Sequence, residues 1–420
     1  MSVSGGSRDI GANRPTAGFL ATLVALTLSM NTIGRGVTET FPVFLLPVET
    51  YLEATRAEIT AAYSIYMLVH GLAAPIAGQL VDRLGCRWTY ATGLSAIGLG
   101  SIGAGYAESL YQYYLFYGVF GGLGAACLGM VIATSLLSRW FTKNLGTMVA
   151  IPHAATGFGV LLIPPLAQML LMYVSWQETY RIIGIVVLGF LPILFILPVN
   201  RMTTGSPHWQ LRRRRLNVGP VWTVARALRT ESFWSLFLLF LFTSGAAYAV
   251  LPQSVAFLIE SGFDPLFAAG AFGFSGALSG LGIIAAGWIS DRAGRLATVT
   301  VSKLMTLTGI LSLLAVAWFP SAVLVYAFVV FFGLVQGARG PVIAVLVAIL
   351  FRGGSVGAIY GTLSIAMGAG AAIGSWTSGW LHDTTGDYVA SFVLGATCSV
   401  CGLATYWISP SLRTERPAKI

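Results

Sequence analysis

The chain has 420 residues, 56% of them hydrophobic and only 9% charged, with a formal net charge of +9. An average soluble domain carries roughly 25% charged residues, so this composition excludes a soluble globular protein. Four cysteines, Cys86, Cys127, Cys398 and Cys401, show no disulfide framework or zinc spacing, and read as small packing residues.

Apolar runs long enough to cross a bilayer, about 20 residues each, recur from end to end. Split at glycines, prolines and charge clusters, they predict helices over 17–47, 57–80, 88–107, 110–138, 144–172 and 180–199. A polar, arginine-rich stretch at 201–230 follows. A second set is predicted over 231–260, 265–288, 297–319, 321–350, 355–381 and 387–409. The fold class is therefore all-α integral membrane, with twelve transmembrane helices. Its organisation is an N-terminal tail at 1–16, a six-helix half at 17–200, a linker at 201–230, a second half at 231–409 and a C-terminal tail at 410–420. The first apolar run is longer than the core of a signal peptide, about 7–15 residues, so the chain is expected to be retained whole.

On this map Arg83, Arg87, Arg139, Lys143, Arg201, Arg212 to Arg215, Arg226, Arg229, Arg292, Arg295, Arg352, Arg413, Arg416 and Lys419 share one side with Arg8 and Arg14. The other side keeps Arg56 and Arg181, among Glu49, Glu53, Glu58, Glu108, Glu178, Glu260, Asp264, Asp383 and Asp387. Positive loops stay cytoplasmic, which places both termini there and makes the net charge a topology signal, not a nucleic-acid footprint. The Arg212 to Arg215 block reads either as a solvated topogenic loop or as a contact for anionic lipid headgroups.

Self-similarity supports the two halves. GQLVDRLGCR (Gly78 to Arg87) follows predicted helix 2 and GWISDRAGR (Gly287 to Arg295) follows helix 8, so G-x-x-x-D-R-x-G recurs at an offset of 209. RWFTKNLGTMVA (from Arg139) and LFRGGSVGAIYG (from Leu350) are a fainter echo. In each D-R-x-G turn an aspartate beyond a helix end and the arginines after it, Asp82, Arg83 and Arg87 or Asp291, Arg292 and Arg295, can pair with neighbouring helix termini as a cytoplasmic gate.

With these signatures the sequence resembles the major facilitator superfamily over essentially its whole length. RWFTKNLGTMVAI, GFGVLLIPPLAQML, ALRTESFW, GARGP and GSWTSGWLHDTTGDY are similar to the bacterial monocarboxylate porter and oxalate–formate exchanger branch. The resemblance implies the major facilitator fold and alternating access, two pseudo-symmetric halves rocking about a site near mid-membrane. It also implies a monomer in the bacterial cytoplasmic (inner) membrane. Two features depart from the branch. Helix 8 lacks the aspartate–arginine pair of animal-type monocarboxylate porters, and helix 11 lacks the lysine of oxalate exchangers, so neither lactate nor oxalate carries over.

Ionisable residues inside the membrane cost about 3 kcal/mol or more unless they face partners or water. Five stand out: Arg35 and Glu39 in helix 1, His70 in helix 2, His153 in helix 5 and Arg339 in helix 10. Arg339 cannot lose its proton, and either a carboxylate substrate or backbone carbonyls loosened by Gly337, Gly340 and Pro341 would neutralise it; Gln336 shares its neighbourhood. Asn31, Arg35 and Glu39 repeat at intervals of four, on one helix face. They read either as an anion contact with a proton site at Glu39, or as a closed structural pair. Glu39, His70 and His153 are the candidates for a coupled proton. Tyr66, Tyr360, Ser364 and Trp376 are candidates for the rest of the cavity wall.

No phosphate-binding G-x-x-x-x-G-K-[ST] occurs, and the four histidines are scattered, so neither an enzyme, a cofactor nor a metal is expected. The expected function is secondary active transport of a small organic anion, a monocarboxylate or related carboxylate, with proton symport. Anion exchange, or export of cationic or amphipathic compounds, are the alternatives. The expected partners are the carboxylate, protons and membrane lipids.

Overall fold

The computed structural model describes residues 16–141, 145–206, 222–337, 343, 346, 347, 349–351 and 356–414. Arg339, Arg352, the Arg212 to Arg215 block and the extreme ends of both tails lie outside these residues. At Asp82, Asp291 and Arg295 only the backbone is described.

Every regular element among the described residues is helical, as hydrocarbon requires of a chain that must satisfy its backbone groups within each segment. The first half contains α1 (Ala17–Thr38), α2 (Phe41–Leu52), α3 (Arg56–Ala104), α4 (Leu110–Tyr113), a π-helical stretch Tyr114–Phe120, α5 (Gly121–Leu128) and α6 (Met130–Trp140). It continues with α7 (Leu145–Leu171), α8 (Trp176–Leu188), α9 (Leu191–Ile196) and α10 (Val199–Thr204). The second half contains α11 (Val224–Ala227), α12 (Glu231–Tyr248), α13 (Leu251–Glu260), α14 (Pro265–Ala293), α15 (Arg295–Ala315), α16 (Ala322–Gln336), α17 (Val356–Thr385), α18 (Val389–Ile408) and α19 (Pro410–Thr414).

Ten helical stretches among the described residues are long and apolar enough to cross a membrane. The limb of α3 beyond Gly85 stands where predicted helix 3 falls, and α16 opens the segment predicted over 321–350, part of which lies outside the described residues. One boundary needs correction. Predicted helices 2 and 3 are a single run, α3, broken only at Gly85, whose φ of 83° and ψ of 166° suit a residue without a Cβ. The D-R-x-G turn is thus one residue of reversed backbone, not a loop.

The first helix of each half is interrupted at the same point of the repeat. α1 stops at Thr38 and α2 begins at Phe41, while α12 stops at Tyr248 and α13 begins at Leu251. Pro42 and Pro252 stand in the first turn of the outer pieces. A proline has no N–H for the carbonyl four residues back, so the carbonyls of Thr38 and Tyr248 lose their helical donors at the middle of the bundle.

Glycines set how closely the segments approach, as expected where small residues mediate helix packing in lipid. Within the first half, a Cβ on Gly159 of α7 would lie 2.3 Å from the Thr32 carbonyl oxygen of α1. Between halves, a Cβ on Gly71 of α3 would lie 3.2 Å from the Gly368 Cα of α17, and one on Gly157 of α7 would lie 2.4 Å from the Gly276 oxygen of α14. The halves therefore meet along α3 with α17, α7 with α14, and α2 with α13. One hydrophobic cluster fills most of the first half and two fill the second.

Gly159→Val is expected to destabilise the protein by about 1–3 kcal/mol through overpacking. A thermal midpoint in detergent equal to that of the unaltered chain would contradict this packing.

Candidate functional site

Arg35 lies on the last turn of α1 and Glu39 immediately follows the helix, one turn on. An Arg35 Nη2 to Glu39 Oε1 distance of 2.7 Å makes them an ion pair. Glu39 is buried at 2% exposure, and its second oxygen accepts a hydrogen bond from the Tyr63 hydroxyl at 2.8 Å. Arg35 is 26% exposed. Its Nη2 also donates across to the Tyr248 hydroxyl of the second half at 3.3 Å. Among the described residues Nη1 and Nε take no partner. The pair thus joins the two helix interruptions and leaves part of a guanidinium fork open.

The interruptions are held by hydroxyls. Tyr117, placed by the π-helical stretch, donates to the Thr38 carbonyl at 2.9 Å, and Tyr66 donates to Thr38 Oγ1 at 2.9 Å. Ser378 of α17 donates to the Ala249 carbonyl at 2.6 Å and accepts from Gln253 Nε2 at 3.0 Å. Because the Ser378 hydrogen is already committed, the Gln253 amide must present its nitrogen there, which leaves its Oε1 buried without a partner among the described residues. The rings of Tyr63 and Tyr248 stand 5.9 Å apart, and those of Tyr66 and Tyr117 also 5.9 Å. A rigid aromatic wall therefore surrounds the pair.

The other predicted residues fall at varied distances from this centre. Asn31 is buried one turn before Arg35; its Nδ2 donates to the Thr27 carbonyl at 2.8 Å and its Oδ1 has no partner among the described residues. His70 lies on the Tyr66 face of α3, with ring centres 6.2 Å apart. Gln336 ends α16 with Oε1 buried and unpartnered among the described residues. Arg339, three residues on, is outside them. His153 is half-buried on α7 and is not joined to the Arg35 pair. Tyr360 packs on Phe240 at 6.2 Å, and the Ser364 hydroxyl returns to the Tyr360 carbonyl at 3.0 Å. Trp376 is exposed and none of the ring contacts around Arg35 involves it.

At the arginine-rich end, Arg87 donates to the Leu197 carbonyl at 3.1 Å and lies over the Phe195 ring, both in its own half. Arg139 Nη1 and Trp140 Nε1 likewise hold α10 through the carbonyls of Thr203 and Met202, each at 2.7 Å. Arg83 and Arg292 are exposed.

Sequence reasoning missed three residues of this kind. Lys303 on α15 belongs among the intramembrane charges: it is 7% exposed and donates to Thr243 Oγ1. It was visible as the only charge between Arg295 and Arg339. Tyr248 carries no charge to mark it, and only the proline four residues later signals the break it occupies. Arg56, read from sequence as one of two arginines on the acidic side, is 3% exposed and bonded to groups on three further elements. Among these is Tyr388, whose hydroxyl burial pushes above its ordinary value, so that it stays protonated.

Comparisons with known proteins agree with this architecture. A family model described as Major Facilitator Superfamily matches residues 18–374. Monocarboxylate transporter 13 of Rattus norvegicus is 26% identical over 415 residues, covering 96% of this chain and 93% of its own length. An uncharacterized MFS-type transporter of Bacillus subtilis (strain 168), YcxA, is 25% identical over 372 residues, covering 86% and 87%. In fold, the inward open conformation of the xylose transporter XylE from E. coli is similar with a TM-score of 0.76 at 13% identity, over 95% of this chain and 97% of that one.

A broken buried ion pair is costly, whereas replacing both members need not be. Glu39→Ala is expected to lose about 3 kcal/mol by stranding Arg35, and the double variant Arg35→Met, Glu39→Met to recover most of it. Thermal unfolding in detergent checks this, and a Glu39→Ala protein as stable as the unaltered chain would count against a close pair.

Proposed function

Because the chain belongs to the Major Facilitator Superfamily and is a membrane transporter of that family, we propose that its cargo is a small organic anion, a monocarboxylate or related carboxylate, carried with a proton. The observation that carries this is the open side of Arg35. Its Nη2 is held by Glu39 and Tyr248 while Nη1 and Nε take no partner among the described residues. A carboxylate takes a guanidinium through two parallel N–H donors, and both such forks include Nη2, so the cargo binds at Nη1 or Nε together with the Nη2 donor that it takes over from Glu39.

Glu39 then supplies the coupling. When the cargo carboxylate takes Arg35, Glu39 loses its counter-charge at a site where it is 2% exposed. A buried carboxylate that has lost its counter-charge and keeps only a hydroxyl, here that of Tyr63, takes a proton in preference to remaining charged. Cargo and proton therefore enter together, and both leave when Glu39 and Arg35 pair again. His70 and His153 remain secondary candidates as proton carriers. Arg339 is a second cation for the cargo on the strength of its place in the sequence. The names of the relatives support a monocarboxylate at about a quarter identity. The segregation of arginines supports an orientation with both termini in the cytoplasm and the Arg56 end outside, and the similarity to bacterial porters supports the bacterial inner membrane as the location.

In proteoliposomes, Arg35→Ala is expected to lower carboxylate uptake roughly a hundredfold, the effect of losing about 3 kcal/mol of paired charge-assisted hydrogen bonds. Arg339→Ala is expected to lower it as well. Glu39→Gln is expected to keep carboxylate exchange while uptake stops responding to an imposed proton gradient. A thermal-shift screen of carboxylates supplies the cargo for these assays. Undiminished uptake in Arg35→Ala would remove the site, and gradient-driven uptake in Glu39→Gln would remove the coupling.

A further inference from the structure

The segment HDTTGDY, His382 to Tyr388, has no part in the Arg35 site, yet two of its residues, Asp383 and Tyr388, bond the first half at the start of α3. Arg56 opens α3, and its guanidinium is shared among three elements. Its Nε pairs with Glu49 Oε2 of α2 at 2.8 Å, and its Nη2 with Glu260 Oε1 at the end of α13 at 2.9 Å. Its Nη1 donates to the Tyr388 hydroxyl, just before α18, at 2.7 Å. The backbone N–H groups of Arg56 and Ala57 donate to the two oxygens of Asp383 on α17, at 2.9 and 2.8 Å. Thr55 and Glu58 already form the local capping box of α3. Asp383 thus adds an anionic cap supplied by the opposite half, where a helix N-terminus favours negative charge.

Of these five contacts, only the one to Glu49 stays within the first half. Inward from them the seam stays shut: the Ser64 hydroxyl donates to the Ala372 carbonyl at 2.7 Å, and a Cβ on Gly379 would lie 2.8 Å from the Arg56 carbonyl oxygen. The contacts are also linked to the centre. α2 runs from the interruption at Glu39 to Glu49, and α13 runs from the interruption after Tyr248 to Glu260, so both outer limbs start beside Arg35 and end on Arg56.

We propose that Arg56, with Glu49, Glu260, Asp383 and Tyr388, is the clasp that holds this end of the transporter closed, and that opening toward this side requires its release. None of these side chains touches the Arg35 pair. They are positioning residues that act through the equilibrium between the two open states. The minor state of such an equilibrium is typically populated at about 0.1–10%, and each lost contact raises that population.

The test is access to the seam, which needs no cargo and so stands or falls apart from the carboxylate assignment. Ser64→Cys places a thiol of nearly the same size between the halves. Its reaction with a membrane-impermeant maleimide is followed in intact cells and in inverted vesicles, with the chain lacking this change giving the background from the native cysteines. Added singly, Arg56→Gln, Glu260→Gln and Asp383→Asn are each expected to speed labelling from the Arg56 side about tenfold, the effect of one charge-assisted contact. Arg181→Gln is the control. This arginine bonds the Gln177 carbonyl at 3.3 Å and lies over Tyr106, within its own half, and should leave the rate unchanged. If Arg56→Gln fails to fold, Glu260→Gln decides, because that side chain is 40% exposed. Unchanged labelling in folded Glu260→Gln and Asp383→Asn, or an equal rise in Arg181→Gln, overturns the clasp. A rise seen only in inverted vesicles upholds the clasp and reverses the assigned orientation.

Discussion

The interaction on which the central architecture depends is a single ion pair set where a helix stops. Hydrocarbon tolerates an interrupted helix only where other groups satisfy the freed backbone. At the carbonyls of Thr38 and Ala249 that work falls to the hydroxyls of Tyr117 and Ser378, while Tyr66 and Tyr63, neighbours on α3, hold the side chains of Thr38 and Glu39. The tyrosines that line the centre are therefore held in place by the break itself. Arg35 and Glu39 neutralise each other within this shell, which lets a charge remain at mid-membrane with part of its guanidinium open.

The two ends of the molecule are built differently. At the arginine-rich end, Arg87, Arg139 and Trp140 tie α9 and α10 to their own half through backbone carbonyls. At the acidic end, Arg56 ties one half to the other. A contact within a half moves with that half and resists no rocking motion, whereas a contact between halves must break when they part. The side chains that matter for conformational change are thus distinguished by which helices they join more than by their charge or burial.

Much of this was legible in the chain, and the rest was not for identifiable reasons. Helix number, the two halves and the fold follow from apolar run length, charge segregation and the D-R-x-G repeat, all of which are local or periodic signals. The Arg35 and Glu39 pair follows from the i,i+4 spacing. Fusion of the second and third predicted helices across Gly85 was hidden because a glycine flanked by charges reads as a loop. Tyr248 was hidden because its partner is 213 residues away and it carries no charge. Arg56 was read as a topology marker for the same reason, its partners lying as far as 332 residues along the chain. Contacts between halves leave almost no trace in one sequence.

The central claim is that cargo displaces Glu39 from Arg35 and that a proton takes the vacated charge. Calorimetric titration of the purified transporter with a carboxylate it binds, repeated in buffers of different ionisation enthalpy, measures this directly. The account predicts that about one proton is taken up per carboxylate bound, by linkage of protonation to binding, and that Glu39→Gln binds the carboxylate without it. Carboxylate binding by the unaltered protein with no proton uptake would contradict the account.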